Sequence, residues 1–373
     1  MKPRIILSGV NVSELGILAI FKDALASLAT EYADHYNIIA LVHRRNLYNI
    51  PNVTYLEFPE VKPSWLRRIY FEYFVSKKIS LRFNPKVWIA IHDMTPNVSA
   101  PIRAVYCHNA TPFHSLRISE ALADWKFGLF VAFYRFLYRI NIHTNTFVIV
   151  QQQWIREEFR KSFGVRNVVV AHPVVKSKQT PKVGDPFESN RHPYRFFYPS
   201  FPRPFKNAEV CLEAARILEN RGVRNFELWL TIDVTINRYA ARMMDSFSDL
   251  KSVRWLGILP RNRIFELYNQ ADCLLFSSRL ETWGMPISEF RPFDKPILAA
   301  DLPYAHETAG GHHQVKFFDP NDASKLADLM EQAATGRPIF ARAPEPKIAE
   351  PLAHNWSELW LLLLDEARPV RNV

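Results

Sequence analysis

Two glutamates eight positions apart, Glu281 and Glu289, flank a Gly284-Met285-Pro286 turn inside the run from Ser277 to Phe290. Gly284 permits a tight backbone turn, and Pro286 suits the first turn of a helix, where its missing N–H costs nothing. A helix beginning near Met285 would offer amide N–H groups and the positive end of its dipole to an anion, which is the chemistry of a phosphate site. At a helical rise of 1.5 Å per residue the two carboxylates would stand on the order of 10 Å apart. A retaining glycosidase pair stands about 5 Å apart and an inverting pair about 6.5–9.5 Å. The spacing therefore argues against joint work on one bond and fits contacts at opposite ends of one ligand. The plain alternative is a helix cap for Glu281 and a solvated helix face for Glu289.

A second group of residues, Phe197 to Asn207, places Arg203 and Lys206 just ahead of a helical pattern. A fixed cation there has a clear task if a diphosphate departs, because it stabilises the growing charge more in the transition state than in the ground state. The alternative is a pair of solvated loop cations. In the first half of the chain, His108 follows the strand-like run Arg103 to Tyr106, and His92-Asp93 follows Val87 to Ile91. Residues just past the strands of an open α/β sheet face its ligand crevice. Isolated histidines are nonetheless more often structural than catalytic. No Asp-x-Asp pair and no metal-ligand spacing is present, and His312-His313 reads as an exposed loop pair, so no metal is expected.

The elements that must position these residues follow from the rhythm of the chain. Short β-branched or aromatic runs alternate with longer segments of helical period, which predicts βα units with parallel sheets. The rhythm occurs twice, from Ile5–Gly9 to Asn167–Ala171 and again from Arg195–Tyr198 to Val315–Phe318. Between the two lies Val174 to Pro193, rich in Lys, Pro, Ser, Asp and Asn, which reads as a linker. The expected division is a Rossmann-like domain over 1–173, a linker over 174–194 and a second Rossmann-like domain over 195–350, the two facing each other across a cleft. Residues 351–373 are read as a terminal helix, either crossing back to the first domain or packing on its own.

Bulk properties bound the rest. The chain of 373 residues is 48% hydrophobic and 23% charged, enough for a substantial core. A formal net charge of +10 favours an anionic partner. No basic run is dense enough to make that partner a nucleic acid. The three cysteines, Cys107, Cys211 and Cys273, stand singly in apolar stretches, which predicts a reducing, cytoplasmic setting. The apolar start after Lys2 and Arg4 is interrupted by Asn11, Ser13 and Glu14 before it reaches signal-peptide length. The apolar stretch Phe127 to Ile140 is shorter than the roughly 20 residues of a membrane span and carries Arg135 and Arg139.

The motif around Glu281 and Glu289 resembles that of the retaining glycosyltransferase family 4 of the GT-B fold, a Glu, seven residues and a Glu written around a Gly-x-Pro turn. The likeness continues through Leu256-Gly257, Tyr268 to Asp272, Lys295 to Ala300, Glu307 and Phe318-Asp319-Pro320. It is strong from about Arg195 to Asp319 and looser before. The resemblance implies that Glu281 contacts hydroxyls of a donor sugar, that Glu289 accepts hydrogen bonds from the ribose, and that Lys206 with Asn207 sits at the pyrophosphate. Gly284, Met285 and Pro286 would lie at the donor. The family's Gly-Arg ahead of the lysine is replaced by Pro199-Ser200, which leaves Arg203 as a substitute cation. The likeness also implies that His108 lies beside the donor sugar; His92 and Asp93, by their place after the strand Val87 to Ile91, are candidates for the acceptor side. Of the glycine pair common after the first strand, Gly16 remains, and Gln151-Gln152-Gln153 stands where a serine is usual.

These readings together imply transfer of a sugar from a nucleotide diphosphate sugar to a glycan or lipid-linked glycan, with retention, without metal or other cofactor, as in surface polysaccharide or lipopolysaccharide synthesis. Two aromatic, basic stretches, Trp65 to Lys78 and Trp125 to Ile140, fit either the anionic inner face of a membrane or the protein core. A sugar-nucleotide epimerase on the same fold, or a nucleotide- or glycan-binding module without catalysis, remains open as an alternative.

Overall fold

The computed structural model describes residues 2–13, 15–113, 125–174 and 193–365. Two compact units result: one takes in the described residues up to Val174 and resumes at Ile348, and the other ends at Lys347. Most of the linker expected over 174–194 lies outside the described residues.

The N-terminal unit is built on β1 (Arg4–Gly9), β2 (Asn37–Val42), β3 (Val53–Glu57), β4 (Val87–Ala90), β5 (Ile102–Tyr106), β6 (Phe147–Val150) and β7 (Val168–Ala171). The second unit carries β8 (Tyr194–Tyr198), β9 (Phe226–Leu230), β10 (Val253–Trp255), β11 (Cys273–Phe276), β12 (Ile297–Ala300) and β13 (Val315–Phe318). A two-residue strand, β14 (Leu352–Ala353), joins the first sheet beside β7. The sheet orders are β14-β7-β6-β5-β4-β1-β2-β3 and β10-β9-β8-β11-β12-β13. Every named pairing in both is parallel. Helices cover a parallel sheet on both faces, so its inner strands are apolar without alternation. Val87–Ala90 and Cys273–Phe276 are buried at every position, as that rule requires. All three cysteines are buried and unpaired.

The terminal helix Trp356–Asp365 belongs to the N-terminal unit, where Leu359, Trp360 and Leu363 share one core with Phe21, Leu25 and Leu28 of the helix Leu15–Tyr32. The buried Arg156 anchors the returning segment by donating to the carbonyls of Ala349 and Pro351. A helical stretch from Trp65 to Phe83 is interrupted by a π-helical segment at Phe71–Val75. Such π segments are rare and appear mostly as single turns inside α-helices.

In both sheets the chain reverses its direction of travel at one place, between β1 and β4 in the first and between β8 and β11 in the second. Ligands of open α/β sheets bind outside the carboxyl ends of the strands at such switch points.

Candidate functional site

The switch point of the C-terminal unit brings together the two groups of residues that the sequence sets about seventy-five positions apart. The chain leaving β8 runs into a single 3-10 turn, Pro204–Lys206, capped by Asn207 in the left-handed region at φ 57°. Asn tolerates that conformation better than most residues. Its side-chain amide donates to the carbonyls of Ser277 at 3.2 Å and Pro320 at 2.7 Å, and Ser277 Oγ donates to the Asn207 carbonyl at 2.8 Å. The turn is thereby bolted to the end of β11. On the other side, Arg279 N–H donates to the Phe205 carbonyl at 2.7 Å, which draws the Ser278–Glu281 loop against the same turn. As a result Lys206 Nζ meets Glu281 Oε1 at 2.5 Å, with the side chains 21% and 13% exposed. A charge pair with some solvent access can exchange partners for a ligand without the large penalty of a fully buried one.

Gly284 adopts φ 89°, a conformation L side chains rarely accept, and opens the helix Met285–Phe290. The turn is pinned from above and below: Trp283 Nε1 donates to Ser288 Oγ at 2.7 Å, Thr308 donates to the Trp283 carbonyl, and Tyr304 O–H donates to the Ser278 carbonyl at 2.6 Å. The helix start is less generous than the sequence predicts. It is only six residues long; Pro286 has no N–H, and the Ile287 N–H is taken by the Gly284 carbonyl at 2.9 Å. An anion at this turn would find fewer free helix amides than the sequence suggests, with the Lys206 ammonium beside them.

Glu289 is neither a solvated helix face nor an unpartnered carboxylate. Its Oε1 accepts from Arg261 at 2.8 Å and its Oε2 from Tyr268 O–H at 3.2 Å. Burial pushes its carboxyl above the usual range, and the Arg261 guanidinium opposes that rise. A carboxylate has about four lone-pair sites, so both partners leave room for further donors. Arg203 is exposed and stacks over the Phe201 ring at 5.4 Å. His312 is buried with its Nε2 at 2.8 Å from the Lys295 carbonyl, a correction to the expectation of an exposed pair, whereas His313 is exposed.

In the N-terminal unit the residues expected to line a crevice turn inward. His92 and Asp93, expected on the acceptor side of the cleft, are 4% and 8% exposed. Asp93, at φ 74°, uses Oδ1 to accept from the backbone N–H of His108 at 2.6 Å and of Asn109 at 3.1 Å, and from Tyr138 O–H at 3.0 Å. It is the clasp of the His108 loop. The His92 Nε2 lies 3.2 Å from Ser8 Oγ and 3.3 Å from Glu72 Oε1, the latter a close approach without hydrogen-bond alignment. The Arg68 guanidinium donates to the His92 carbonyl at 2.6 Å. Burial drives the His92 imidazole down to about 3 and the Glu72 carboxyl up to about 8, so both stay neutral near pH 7.

His108 is half-buried, its ring stacked on Tyr106 at 4.3 Å, and its Nε2 has no hydrogen-bond partner among the described residues. Burial lowers its pKa to about 4, which makes it a neutral imidazole. Gly16 is the second residue of the helix Leu15–Tyr32, and a Cβ built there meets nothing within 4 Å, so neither backbone nor packing demands glycine. Sequence reasoning missed three contributors. Asn207 as a clasp had a readable signal, since an Asn before a helix and after a basic turn is a common left-handed cap. Arg261 and the Arg68–Glu72–His92 cluster had none, because their partners come from distant elements.

Residues 186–345 match the family of glycosyl transferases group 1. That stretch holds Lys206, Glu281 and Glu289, and the match supports a glycosyltransferase. The two parallel-sheet Rossmann-like units match the fold of GT-B glycosyltransferase structures. A glycosyltransferase from Rickettsia africae ESF-5 aligns at TM-score 0.64 with 14% identity, over 90% of this chain and 88% of that one. WaaG, a glycosyltransferase involved in lipopolysaccharide biosynthesis, aligns at TM-score 0.63 with 13% identity, over 89% and 90%. Anabaena Alr3699/HepE, solved with UDP and glucose, aligns at TM-score 0.59 with 14% identity, over 88% and 89%. At such identities the likeness speaks for the fold alone. No curated protein matches the sequence.

Proposed function

We propose that the protein is a retaining glycosyltransferase of family 4, which moves a sugar from a nucleotide diphosphate sugar to a glycan or lipid-linked glycan acceptor at the cytoplasmic face of a membrane, in the synthesis of a surface polysaccharide or lipopolysaccharide. The observation that carries the reading is the Lys206–Glu281 pair at the switch point of the C-terminal sheet. An ammonium and a carboxylate in contact suit a sugar phosphate, whose anionic phosphate and hydroxyl donors are likewise adjacent. In this scheme the diphosphate displaces Glu281 from Lys206, Glu281 accepts from hydroxyls of the sugar, and Glu289 accepts from the ribose beside Arg261. Arg203, at the mouth of the same loop, adds longer-range attraction.

In the reaction the bond from the anomeric carbon to the diphosphate oxygen breaks and a bond to the acceptor oxygen forms on the same face. The acceptor's proton passes to the departing phosphate oxygen. Lys206 stabilises the charge left on that phosphate, a contribution that grows as the bond breaks. A neutral His108 fits a hydrogen-bonding part beside the donor sugar better than a proton store. Among the described residues no group of three His, Cys, Asp or Glu side chains could hold a metal ion. Incubation of the donor with a panel of acceptors, with and without EDTA, tests the scheme, the anomeric configuration being read by NMR. Transfer in EDTA with the donor's configuration kept is the expected result. An inverted product, or loss of rate restored by a divalent ion, overturns the corresponding part.

A further inference from the structure

Among the described residues, large exposed apolar side chains gather on two stretches of the N-terminal unit. On the stretch Trp65–Phe83, Leu66, Tyr70 and Phe74 recur every four residues and are 79%, 54% and 59% exposed. On the helix Trp125–Arg139, Leu129, Phe133 and Phe136 recur at the same helical period and are 60%, 38% and 62% exposed. The two stretches are joined: the Trp65 ring lies edge-on to Phe133 at 5.5 Å and to Tyr134 at 5.7 Å. Scattered single apolar residues need no explanation, but large ones gathered on adjoining helices mark an interaction surface.

The charges on the same stretches are of one sign. Arg67, Lys78, Arg82, Arg135 and Arg139 are exposed. Residues 65–83 contain a single acid, Glu72, which is wholly buried, and residues 125–139 contain none. A protein partner's surface usually carries both signs, whereas an apolar face interleaved with cations alone is complementary to anionic phospholipid, whose acyl boundary takes the rings while its headgroups take the charges. No described helix is long and apolar enough to cross a membrane.

We infer that this face of the N-terminal unit docks on the surface of an anionic bilayer, with Leu66, Tyr70, Phe74, Leu129, Phe133 and Phe136 entering the acyl boundary. The inference deepens the membrane part of the function proposed above and rests on it, because a lipid-linked acceptor is reached at such a surface.

The test is co-sedimentation of the full chain with vesicles of phosphatidylcholine, with or without about a third phosphatidylglycerol, at low and high salt. Wild type is expected to pellet with the anionic vesicles at low salt and to be released by salt. A triple variant, Arg67→Gln with Arg135→Gln and Arg139→Gln, should bind about a hundredfold more weakly, at about 1 kcal/mol per cation near the surface. Phe74→Ser with Leu129→Ser and Phe136→Ser should lose about tenfold or more while keeping its circular dichroism and melting temperature, since these side chains are largely exposed. Wild type that stays in the supernatant, or both variants binding as tightly as wild type, would overturn the inference. So would a concentration-dependent dimer that the serine variant dissolves, because the face would then be filled by a second copy. Calorimetric titration of nucleotide diphosphates separates this from the proposed reaction: vesicle binding without nucleotide binding sinks the transferase and not the surface, and the reverse sinks the surface alone.

Discussion

The two units share a parallel architecture and a switch point, yet they treat charge at that point in opposite ways. In the C-terminal unit Lys206 and Glu281 meet at 2.5 Å while both keep some contact with solvent. In the N-terminal unit Ser8, at the end of β1, and His92, just past β4, close on Glu72 and Arg68, all four of them buried. Burial there pushes the acid up and the base down, which is what desolvation does to any ionisable group lacking a matched partner. The contrast shows that position past a strand end is not enough to make a residue available to a ligand. What distinguishes the two is whether the segment packed at the strand ends leaves its charged groups in contact with solvent, as the turn before Asn207 does with Lys206, or buries them, as the π-helical segment carrying Glu72 does.

Removing the ammonium strikes this contrast hardest. Lys206→Ala is expected to lower turnover about 10²–10³-fold, the scale found for loss of one charge-stabilising group in a transition state. Its circular dichroism should match that of wild type, with a melting temperature lowered by loss of a largely buried pair. Unchanged turnover would remove Lys206 from the site.

The buried cluster should answer in stability rather than activity. In the unfolded chain the Glu72 carboxyl ionises at its ordinary value of 4.5, whereas the folded one keeps its proton to about 8. Folding is therefore progressively penalised as pH rises between those values. Glu72→Gln lacks the penalty, so its margin over wild type should grow across that window and then level off, reaching on the order of a few kcal/mol. His92 has the opposite sign: its folded pKa near 3 costs stability as pH falls below 6.5. Melting curves at several pH values would show it; a constant difference between Glu72→Gln and wild type would mean that Glu72 is ionised in the fold.

Smaller effects sharpen the contrast. Arg261→Ala removes the guanidinium that holds Glu289 down against its burial, so the carboxyl should protonate at higher pH and donor affinity should fall first on the acidic side, by roughly two- to tenfold. Affinity that changes equally at all pH values would assign Arg261 a direct ligand contact instead. Smallest of all, His108 held near 4 should leave no limb near pH 6.5 in the kcat/KM profile that His108→Gln abolishes.

How much of this was legible in the sequence follows from how local each feature is. The βα rhythm and the Gly284–Pro286 turn depend on near neighbours, and both were readable to within a residue or two. The strand Leu352–Ala353 was not, because two residues carry no period and their partner β7 lies about 180 positions earlier. Glu281 and Glu289 announced themselves by spacing, but the salt bridge from Arg261 depends on how the helix Arg261–Gln270 packs. His92 and Asp93 were legible as residues past a strand end, but their burial was not, since a π-helical segment has no signature in residue type.

Calorimetric titration of a panel of nucleotide diphosphates against wild type and Lys206→Ala tests the central claim most directly. At least one nucleotide should bind wild type, and the alanine variant should bind it about ten- to a hundredfold more weakly, the cost of one charge-assisted hydrogen bond. Equal affinity in the two proteins, or no binding by either, would contradict a diphosphate site at the Lys206–Glu281 pair.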